Sequence, residues 1–190
     1  DAVQFQRVTD GFVDLQHHLV GHQQQVARAL RGVRGQQQLQ RLIGDFYPCA
    51  NQPAAADDIK ATLLAEAPNG IEAGKTLWLG LELVHQPEWH TYWRNPGDSG
   101  LPTVLQWKLP EGLVAGNLIW PVPRRIPIGP LANFGYEDAL LLVTPVQVSK
   151  SFKPQGNESS VQIELQANWL VCKQECIPQE GSFSLKLPIK

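Results

Sequence analysis

Apolar and polar side chains alternate strictly near the C-terminus, which restricts this segment to one kind of secondary structure. Apolar residues occupy every second position from Val161 to Val171, and polar residues lie between them as far as Trp169. Because successive side chains of a strand point to opposite faces, this period indicates a half-buried β-strand. A second alternating run extends from Phe183 to Ile189. We expect Ile177-Pro178 and Gly181 to break the chain between these two strands.

Earlier parts of the chain carry the same period. Alternating or apolar runs cover Leu77 to Val84, Leu105 to Leu109 and Leu140 to Val148, with turns such as Asn95-Pro96-Gly97 and Pro110-Glu111-Gly112 among them. At least five strands are therefore expected, with no regular alternation of strands and helices. This pattern predicts an all-β fold, an immunoglobulin-like antiparallel β-sandwich.

A change in composition near residue 55 predicts two regions. The first forty residues hold ten glutamines and no tryptophan or proline, whereas all six tryptophans follow residue 55. We predict that residues 1–56 form a short Gln-rich helical or irregular extension of unassigned function, and that residues 57–190 form the β-domain. The extension contains His17, His18 and His22, but no third metal ligand is evident, so we interpret them as a solvated polar face.

Charge and composition exclude some classes of function. The formal net charge is −2, and 43% of the residues are hydrophobic against 18% charged, as in ordinary globular proteins. Without a basic face, nucleic acid is not an expected partner. The chain has no run of about 18 apolar residues that would predict a membrane span. It also has no methionine, and we expect it to be a fragment of a longer protein.

Two cysteines, Cys172 and Cys176, follow the alternating strand with three residues between them. A disulfide between them is feasible, and it would close a very short loop. Because the stabilisation from a crosslink grows with loop length, such a pair is poorly placed as a structural staple and more typical of working thiols. Lys173 favours a thiolate while Glu175 opposes it, so the local charges leave the attacking sulfur open.

Two other interpretations of the pair remain. The thiolates are soft ligands that suit Cu(I), although no nearby histidine completes a zinc site. Alternatively, the cysteines form a structural disulfide or pack as reduced thiols. The third cysteine, Cys49, lies far away in sequence beside Pro48 and is not expected to take part. A cysteine pair at a strand end of an all-β domain fits an oxidising, extracytoplasmic setting.

Four motifs occur in a specific order along the β-domain. They are the run from His90 to Gly100, Ile119-Trp120-Pro121, Phe134-Gly135-Tyr136-Glu137, and Cys172/Cys176 with Ile177-Pro178. Together they resemble the N-terminal periplasmic domain of the DsbD-type thiol:disulfide interchange proteins, closest to the ScsB-like branch associated with copper tolerance. The resemblance covers about residues 59–190.

The resemblance implies a place in an electron relay. In the family, a membrane-embedded domain passes electrons to a thioredoxin-like domain, and the immunoglobulin-like domain hands them to periplasmic thioredoxin-fold proteins. The expected partners are therefore the other domains of the full-length protein and such periplasmic proteins. The resemblance implies a periplasmic location, no metal and no organic cofactor, and links to cytochrome c biogenesis and copper tolerance.

The resemblance also assigns residues to the site. Cys172 and Cys176 would be the catalytic pair. The segment Asn133 to Glu137 would be a cap loop lined by Phe134, Tyr136 and Glu137, with an aromatic ring to cover the sulfur and Gly135 to permit opening. Glu137 would tune a thiol pKa or accept a proton. Tyr92, followed by Trp93, would line the site. Each aromatic residue has a plain alternative, because aromatic side chains in a sandwich commonly fill the core. Asp98 is interpreted first as a turn-stabilising residue.

Overall fold

β-Strands supply the regular secondary structure of the described residues. The computed structural model describes residues 46–48, 54–56, 58–67, 69–154, 156 and 158–190, which contain no helix. The twelve strands in these ranges are β1 (Phe46–Pro48), β2 (Ala54–Ala56), β3 (Ile59–Glu66), β4 (Thr76–His85), β5 (Thr91–Gly97), β6 (Val104–Lys108), β7 (Leu113–Ala115), β8 (Arg124–Ile128), β9 (Leu131–Tyr136), β10 (Ala139–Val148), β11 (Ser160–Cys172) and β12 (Cys176–Pro188).

The strands form three sheets. The largest has the order β1-β3-β4-β10-β7, with β2 also paired to β3, and the smaller ones have the orders β12-β11-β6 and β5-β9-β8. Every strand ladder is antiparallel. The predicted all-β, immunoglobulin-like antiparallel sandwich is therefore confirmed.

The core joins the apolar faces of the largest sheet and the β11–β12 sheet. Leu79 and Leu81 of β4 and Leu142 of β10 are fully buried in one cluster with Ile163 and Leu165 of β11. Burial of one such side chain contributes about 1.5–3 kcal/mol. Leu79, Leu81, Ile163 and Leu165 are residues that the sequence period assigns to the buried faces, so the predicted alternation of β4 and β11 is confirmed. The predicted run from Leu140 to Val148 forms β10.

The expected chain break before Phe183 is wrong, because β12 runs without interruption from Cys176 to Pro188. Pro178 is tolerated because β12 lies at the edge of its sheet, where a missing N–H costs no ladder bond. Gly181 is also part of the strand. A Cβ on it would lie 2.6 Å from the Phe183 ring and 3.1 Å from the Trp169 ring, so the glycine makes room for aromatic side chains.

The segment that leads into the β5-β9-β8 sheet is hydrogen-bonded to the end of β11. His90, just before β5, exchanges two backbone hydrogen bonds with Cys172, each 2.9 Å long. Along β5, the pairing with β9 shifts register between Tyr92 and Gly97. This sheet therefore brings the His90 to Gly100 segment to the end of β11.

Several predictions concern residues outside the described ranges. They include the proposed helical character of the N-terminal extension, its three histidines and Cys49. The compact unit runs from Asp45 to Lys190, and β1 and β2, which precede the predicted domain boundary, pair with β3. The boundary at residues 56 and 57 stays a prediction. In the part that the structure describes, no helix is long and apolar enough to cross a lipid bilayer.

Candidate redox site

The cysteine pair lies at the tip of the β11–β12 hairpin. The two strands pair over their whole length, and Cys172, the last residue of β11, faces Cys176, the first residue of β12. Their Cα atoms are 4.1 Å apart, and their sulfurs form a disulfide. Residues 173–175 make the turn, with the Lys173 N–H donating to the Glu175 carbonyl at 3.1 Å. The long hairpin thus fixes both sulfurs at the end of the sheet.

The two cysteines differ sharply in exposure. Cys172 is only 2% exposed, whereas Cys176 belongs to the exposed class of residues. The His90 backbone covers Cys172 from the neighbouring sheet through their paired hydrogen bonds. A sulfur atom of another protein therefore has access to Cys176 and not to Cys172.

Tyr92 places a hydroxyl beside the accessible sulfur. Its oxygen lies 3.8 Å from Cys176 Sγ, within hydrogen-bond range for sulfur. It also lies 3.3 Å from His90 Nε2, and the two rings meet edge to face at 5.2 Å. Burial raises the pKa of the Tyr92 hydroxyl, and a hydrogen bond with the Ser99 side chain opposes this with a smaller effect. The hydroxyl is therefore protonated at neutral pH and able to donate. Tyr92 thus lies against Cys176, and its role at the site stays a prediction.

The segment after Tyr92 is tied to β9 through side chains. The Asp98 carboxylate accepts a 2.7 Å hydrogen bond from the Ala132 N–H. Asn133 Oδ1 accepts two more, from the Ser99 N–H at 2.9 Å and the Ser99 hydroxyl at 3.1 Å. Asp98 thus stabilises the approach of this segment to β9, rather than only the local turn that its sequence context indicates.

Gly100 gives the Tyr92 ring its space. Its φ is +93°, a left-handed conformation that side-chain-bearing residues rarely adopt, and a Cβ would lie 2.4 Å from the ring. The ring packs directly on the glycine backbone, and Tyr92 itself is only 1% exposed. This contact and the Ser99 bonds fix the position of the tyrosine hydroxyl.

The charges around the hairpin tip largely compensate one another. Lys173 forms a 2.6 Å ion pair with Glu88, and this hydrogen bond lowers the pKa of the Glu88 carboxyl. Glu175 is an exposed carboxylate in the same turn. Burial lowers the pKa of His90, while the Glu137 carboxylate opposes this effect, so the imidazole is neutral at pH 7. Lys173 and Glu88 cancel each other, so Glu175 leaves one negative charge in the turn, and this charge does not favour a thiolate at either sulfur.

A second histidine supports the start of β5 from inside the protein. His85 Nδ1 donates to the Asp138 carbonyl at 2.8 Å, so Nε2 is the acceptor for the Thr91 hydroxyl at 2.9 Å. Burial lowers the pKa of His85 to about 4, although the Asp138 carbonyl partly offsets this. His85 is therefore neutral in the folded protein at pH 7.

The segment predicted to be a cap loop is mostly a strand. Residues 133–136 belong to β9, and Glu137 follows directly. Phe134 is half-buried, and Gly135 lies so close to β5 that a Cβ would meet the Thr91 carbonyl oxygen. The assumption that this glycine permits opening is therefore not supported by its environment.

The other predicted lining residues have partners of their own. Tyr136 is buried, its hydroxyl donates to the Pro121 carbonyl at 2.7 Å, and its ring stacks with Trp120. Glu137 lies 3.8 Å from Arg124 at the surface. Trp93 packs against the core with the Arg94 guanidinium 5.3 Å from its ring centre. The shielding roles of Phe134, Tyr136 and Glu137 stay predictions.

Sequence reasoning missed His90, Ser99 and Gly100 as neighbours of the site. A signal was available for His90, because residues two apart on an extended segment share a face, and His90 stands two positions before Tyr92. Ser99 and Gly100 act through a turn whose path was not predictable. Among the residues that the structure describes, no group of three or more His, Cys, Asp or Glu side chains is arranged to hold a metal ion.

Comparisons with known proteins agree with this architecture. The family described as thiol:disulfide interchange protein DsbD, N-terminal, matches residues 60–188. The crystal structure of the N-terminal periplasmic domain of ScsB from Proteus mirabilis is similar in fold, with a TM-score of 0.51 and 19% sequence identity. That match covers 74% of this chain and 49% of the ScsB chain, so this protein spans about half the length of that relative.

Other similarities are more distant. The GAE domain of GGA2p from Saccharomyces cerevisiae matches 74% of this chain and 96% of its own, with a TM-score of 0.38 and 10% identity, which is too low to support any inference. No curated protein matches the chain by sequence. The family match spans most of the chain and includes both cysteines of the hairpin tip. The chain belongs to the family of N-terminal domains of DsbD-type thiol:disulfide interchange proteins.

Proposed function

We propose that this domain is a protein-disulfide reductase module that exchanges electrons through Cys172 and Cys176. One observation carries the proposal: the facing cysteines at the hairpin tip share a disulfide, with one sulfur exposed and the other buried. An exposed sulfur can meet a partner's sulfur, and a buried neighbour can then resolve the mixed disulfide. Family membership supports the same chemistry.

The exposure difference assigns the order of attack. In the reduced domain, the Cys176 thiolate attacks a sulfur of the partner's disulfide, forms a mixed disulfide and displaces the partner's other sulfur as a thiolate. The Cys172 thiolate then attacks Cys176 Sγ and displaces the remaining partner sulfur. The partner gains two electrons, and the two protons lost from the domain's thiols return to the partner's thiolates through water.

The same geometry serves the recharging step. A thiolate of the electron donor attacks Cys176 Sγ in the oxidised domain, because that sulfur is the accessible one, and Cys172 leaves as a thiolate. A second thiolate of the donor then attacks the donor sulfur of this mixed disulfide and displaces Cys176 as a thiolate, which leaves both cysteines of the domain reduced. The direction of transfer follows the difference in reduction potential between the two proteins.

We further propose a periplasmic setting, in line with the ScsB domain of similar fold. The electron donor would be a thioredoxin-like domain served by a membrane-embedded domain of the same full-length protein, and the acceptors would be periplasmic thioredoxin-fold proteins. A contribution to copper tolerance or cytochrome c biogenesis would depend on which acceptor the domain reduces.

Trapping of the mixed disulfide tests the function. With Cys49 replaced by Ser to leave the pair alone, the Cys172→Ala variant retains the exposed sulfur and is incubated with an oxidised thioredoxin-fold protein. We expect a stable one-to-one adduct through Cys176, identified by peptide mass. The matched Cys176→Ala variant retains the buried sulfur, and we expect at least a tenfold lower yield of adduct.

Three results would contradict the proposal. Equal adduct yields from both variants would overturn the order of attack. A reduced pair that forms no adduct, yet binds one Cu(I) in the presence of a competing chelator, would instead identify a copper-binding module. A disulfide that resists reduction in the folded domain would identify a structural bridge.

A further inference from the structure

We propose that the Tyr92 hydroxyl donates a hydrogen bond that stabilises the Cys176 thiolate in the reduced domain, and that Gly100, Ser99 and His90 hold it there. This inference rests on the proposed exchange function and adds a residue to its chemistry. Tyr92 is a catalytic residue in this account because it touches the reacting sulfur. Gly100, Ser99 and His90 are positioning residues, because they act through the tyrosine.

The geometry gives the Tyr92 hydroxyl proton two acceptors. His90 Nε2 lies 3.3 Å from the oxygen and Cys176 Sγ lies 3.8 Å from it. A disulfide sulfur is a weak acceptor, so in the oxidised domain the neutral imidazole with its proton on Nδ1 is the better one. A thiolate is a charged acceptor, and hydrogen bonds to charged groups are roughly twice as strong as neutral ones. Reduction therefore turns the hydroxyl proton toward Cys176.

No other described group offers the exposed sulfur a comparable donor. Lys173, the cation of the hairpin turn, is engaged with Glu88 at 2.6 Å. Glu175, on the same turn, carries a negative charge that disfavours a thiolate. His90 is held neutral by burial, and Glu137 acts on His90 from the end of β9. Because no unpaired positive charge remains among these groups, the tyrosine hydroxyl is the group that favours the anionic form.

The position of the hydroxyl is built into the fold. The ring packs against the Gly100 backbone, where a Cβ would lie 2.4 Å from it, and Ser99 is bonded twice to Asn133 of β9. Tyr92 is only 1% exposed, so its ring has little freedom to turn away. An ordered hydroxyl forms the hydrogen bond to the thiolate without an ordering cost at the moment of reaction.

The test measures how the reactivity of Cys176 depends on pH. The full chain carries Cys49→Ser and Cys172→Ala, so that Cys176 is its one thiol, and its rate of reaction with a small aromatic disulfide is followed by absorbance from pH 5 to 11. The variants are Tyr92→Phe, which removes only the hydroxyl, and Thr144→Val, which removes a buried hydroxyl of β10 remote from the site.

We expect Tyr92→Phe to raise the pKa of Cys176 by about one unit, since a hydrogen bond to a charged group has about that effect. The thiolate fraction at pH 7 then falls about tenfold. Each remaining thiolate is about threefold more nucleophilic because reactivity rises with thiol pKa. The rate at pH 7 therefore falls about threefold, the plateau at high pH rises about threefold, and the two profiles cross.

Positioning is tested by a pair of glycine variants. Gly100→Ala pushes the Tyr92 ring away, and we expect it to reproduce the crossing profile. Gly129→Ala is the matched control, because that glycine also has a positive φ, +56°, but an added Cβ meets no atom within 4 Å. Thr144→Val and Gly129→Ala should both retain the parent profile.

Two outcomes overturn the inference. One is a Tyr92→Phe profile that superimposes on the parent profile. The other is a parallel fall of both limbs, which indicates lost access or lost structure rather than a lost hydrogen bond. If Tyr92→Phe loses its native circular dichroism spectrum, Gly100→Ala takes its place, with Gly129→Ala as the control. A Gly100→Ala profile that superimposes on the parent profile, or whose limbs both fall, then overturns the inference. Since the assay needs no protein partner, it is independent of the trapping experiment, whose failure would instead reject the exchange function.

Discussion

At the scale of single residues, burial separates groups that look alike in sequence. Cys172 and Cys176 share the same neighbours along the chain, yet only Cys176 is exposed. Tyr92 and Tyr136 are both buried, but the hydroxyl of Tyr136 donates to a backbone carbonyl while that of Tyr92 faces a sulfur. The chemistry of the site follows from these differences in surroundings.

Burial of His85 predicts a pH dependence of stability. Its pKa is about 4 in the folded protein and about 6.5 in the unfolded chain, so between these values the unfolded state binds a proton that the folded state does not. The histidine therefore contributes full stability above pH 6.5 and loses it as the pH falls. We expect acidification from pH 7 to pH 4.5 to lower the free energy of unfolding by about 2–3 kcal/mol through this residue.

Urea unfolding of the parent and the His85→Gln variant at both pH values measures this contribution. The variant should be less stable at pH 7, because it loses bonds to Asp138 and Thr91. Its loss on acidification should be smaller than that of the parent by about 2–3 kcal/mol. An equal loss in both proteins would contradict the assigned role of His85.

The spacing of the cysteines was enough to single them out as a candidate pair, whereas Tyr92 was assigned to the site only by the family resemblance. The order of attack was not predictable, since the charges of Lys173 and Glu175 oppose each other and exposure depends on the neighbouring sheet. The Ser99 and Gly100 contacts were missed for the same reason. Ser99 bonds to Asn133, which is more than thirty residues away in sequence, and the contact of Gly100 with Tyr92 depends on the path of the turn between them.

At the scale of elements, the site depends on where β5 and β9 meet. Gly135 of β9 lies against the Thr91 carbonyl oxygen, so a Cβ there clashes with the backbone of β5. We expect Gly135→Ala to destabilise the domain by about 1–3 kcal/mol, the usual cost of overpacking, and to disturb Tyr92 beside the clash. Chemical denaturation and the Cys176 reactivity profile measure the two effects.

Gly80 of β4 provides the matched control for this substitution. It is also a buried strand glycine, but the one close contact of its added Cβ would be the terminal methyl of Leu141 at 2.9 Å, which can rotate away, while the Leu142 carbonyl oxygen lies at an ordinary 3.8 Å. Gly80→Ala should cost less than Gly135→Ala and leave the Cys176 profile unchanged. Similar losses of stability in the two variants, with no change of the profile in either, would argue against a special role for the β5–β9 contact.

Element prediction succeeded where one face of a strand is buried and the other solvated. β4, β10 and β11 follow their sequence period because each packs one face on the core. The chain break expected at Pro178 and Gly181 is absent from β12, because the edge position of the strand accommodates the proline and the glycine makes room for aromatic neighbours. The segment Asn133 to Glu137, which the family resemblance assigns to a cap loop, lies mostly in β9.

At the scale of the whole molecule, the β-sandwich positions the hairpin tip that carries the proposed redox pair. Family membership and the disulfide agree with the predicted chemistry, and the fold class was predictable because strand period and turn residues repeat along the chain. Recognition of a partner depends on the partner's own surface as well as on this domain, so the partner proteins are proposals.

A redox titration of the folded domain tests the central claim most directly. The protein, with Cys49→Ser, is equilibrated in buffers of reduced and oxidised glutathione or dithiothreitol, and its free thiols are alkylated and counted by mass. We predict one reversible two-electron transition between about −120 and −270 mV, the range of exchange proteins, which is lost in Cys172→Ala and in Cys176→Ala. A pair that stays oxidised below about −300 mV, as structural disulfides do, would contradict the account.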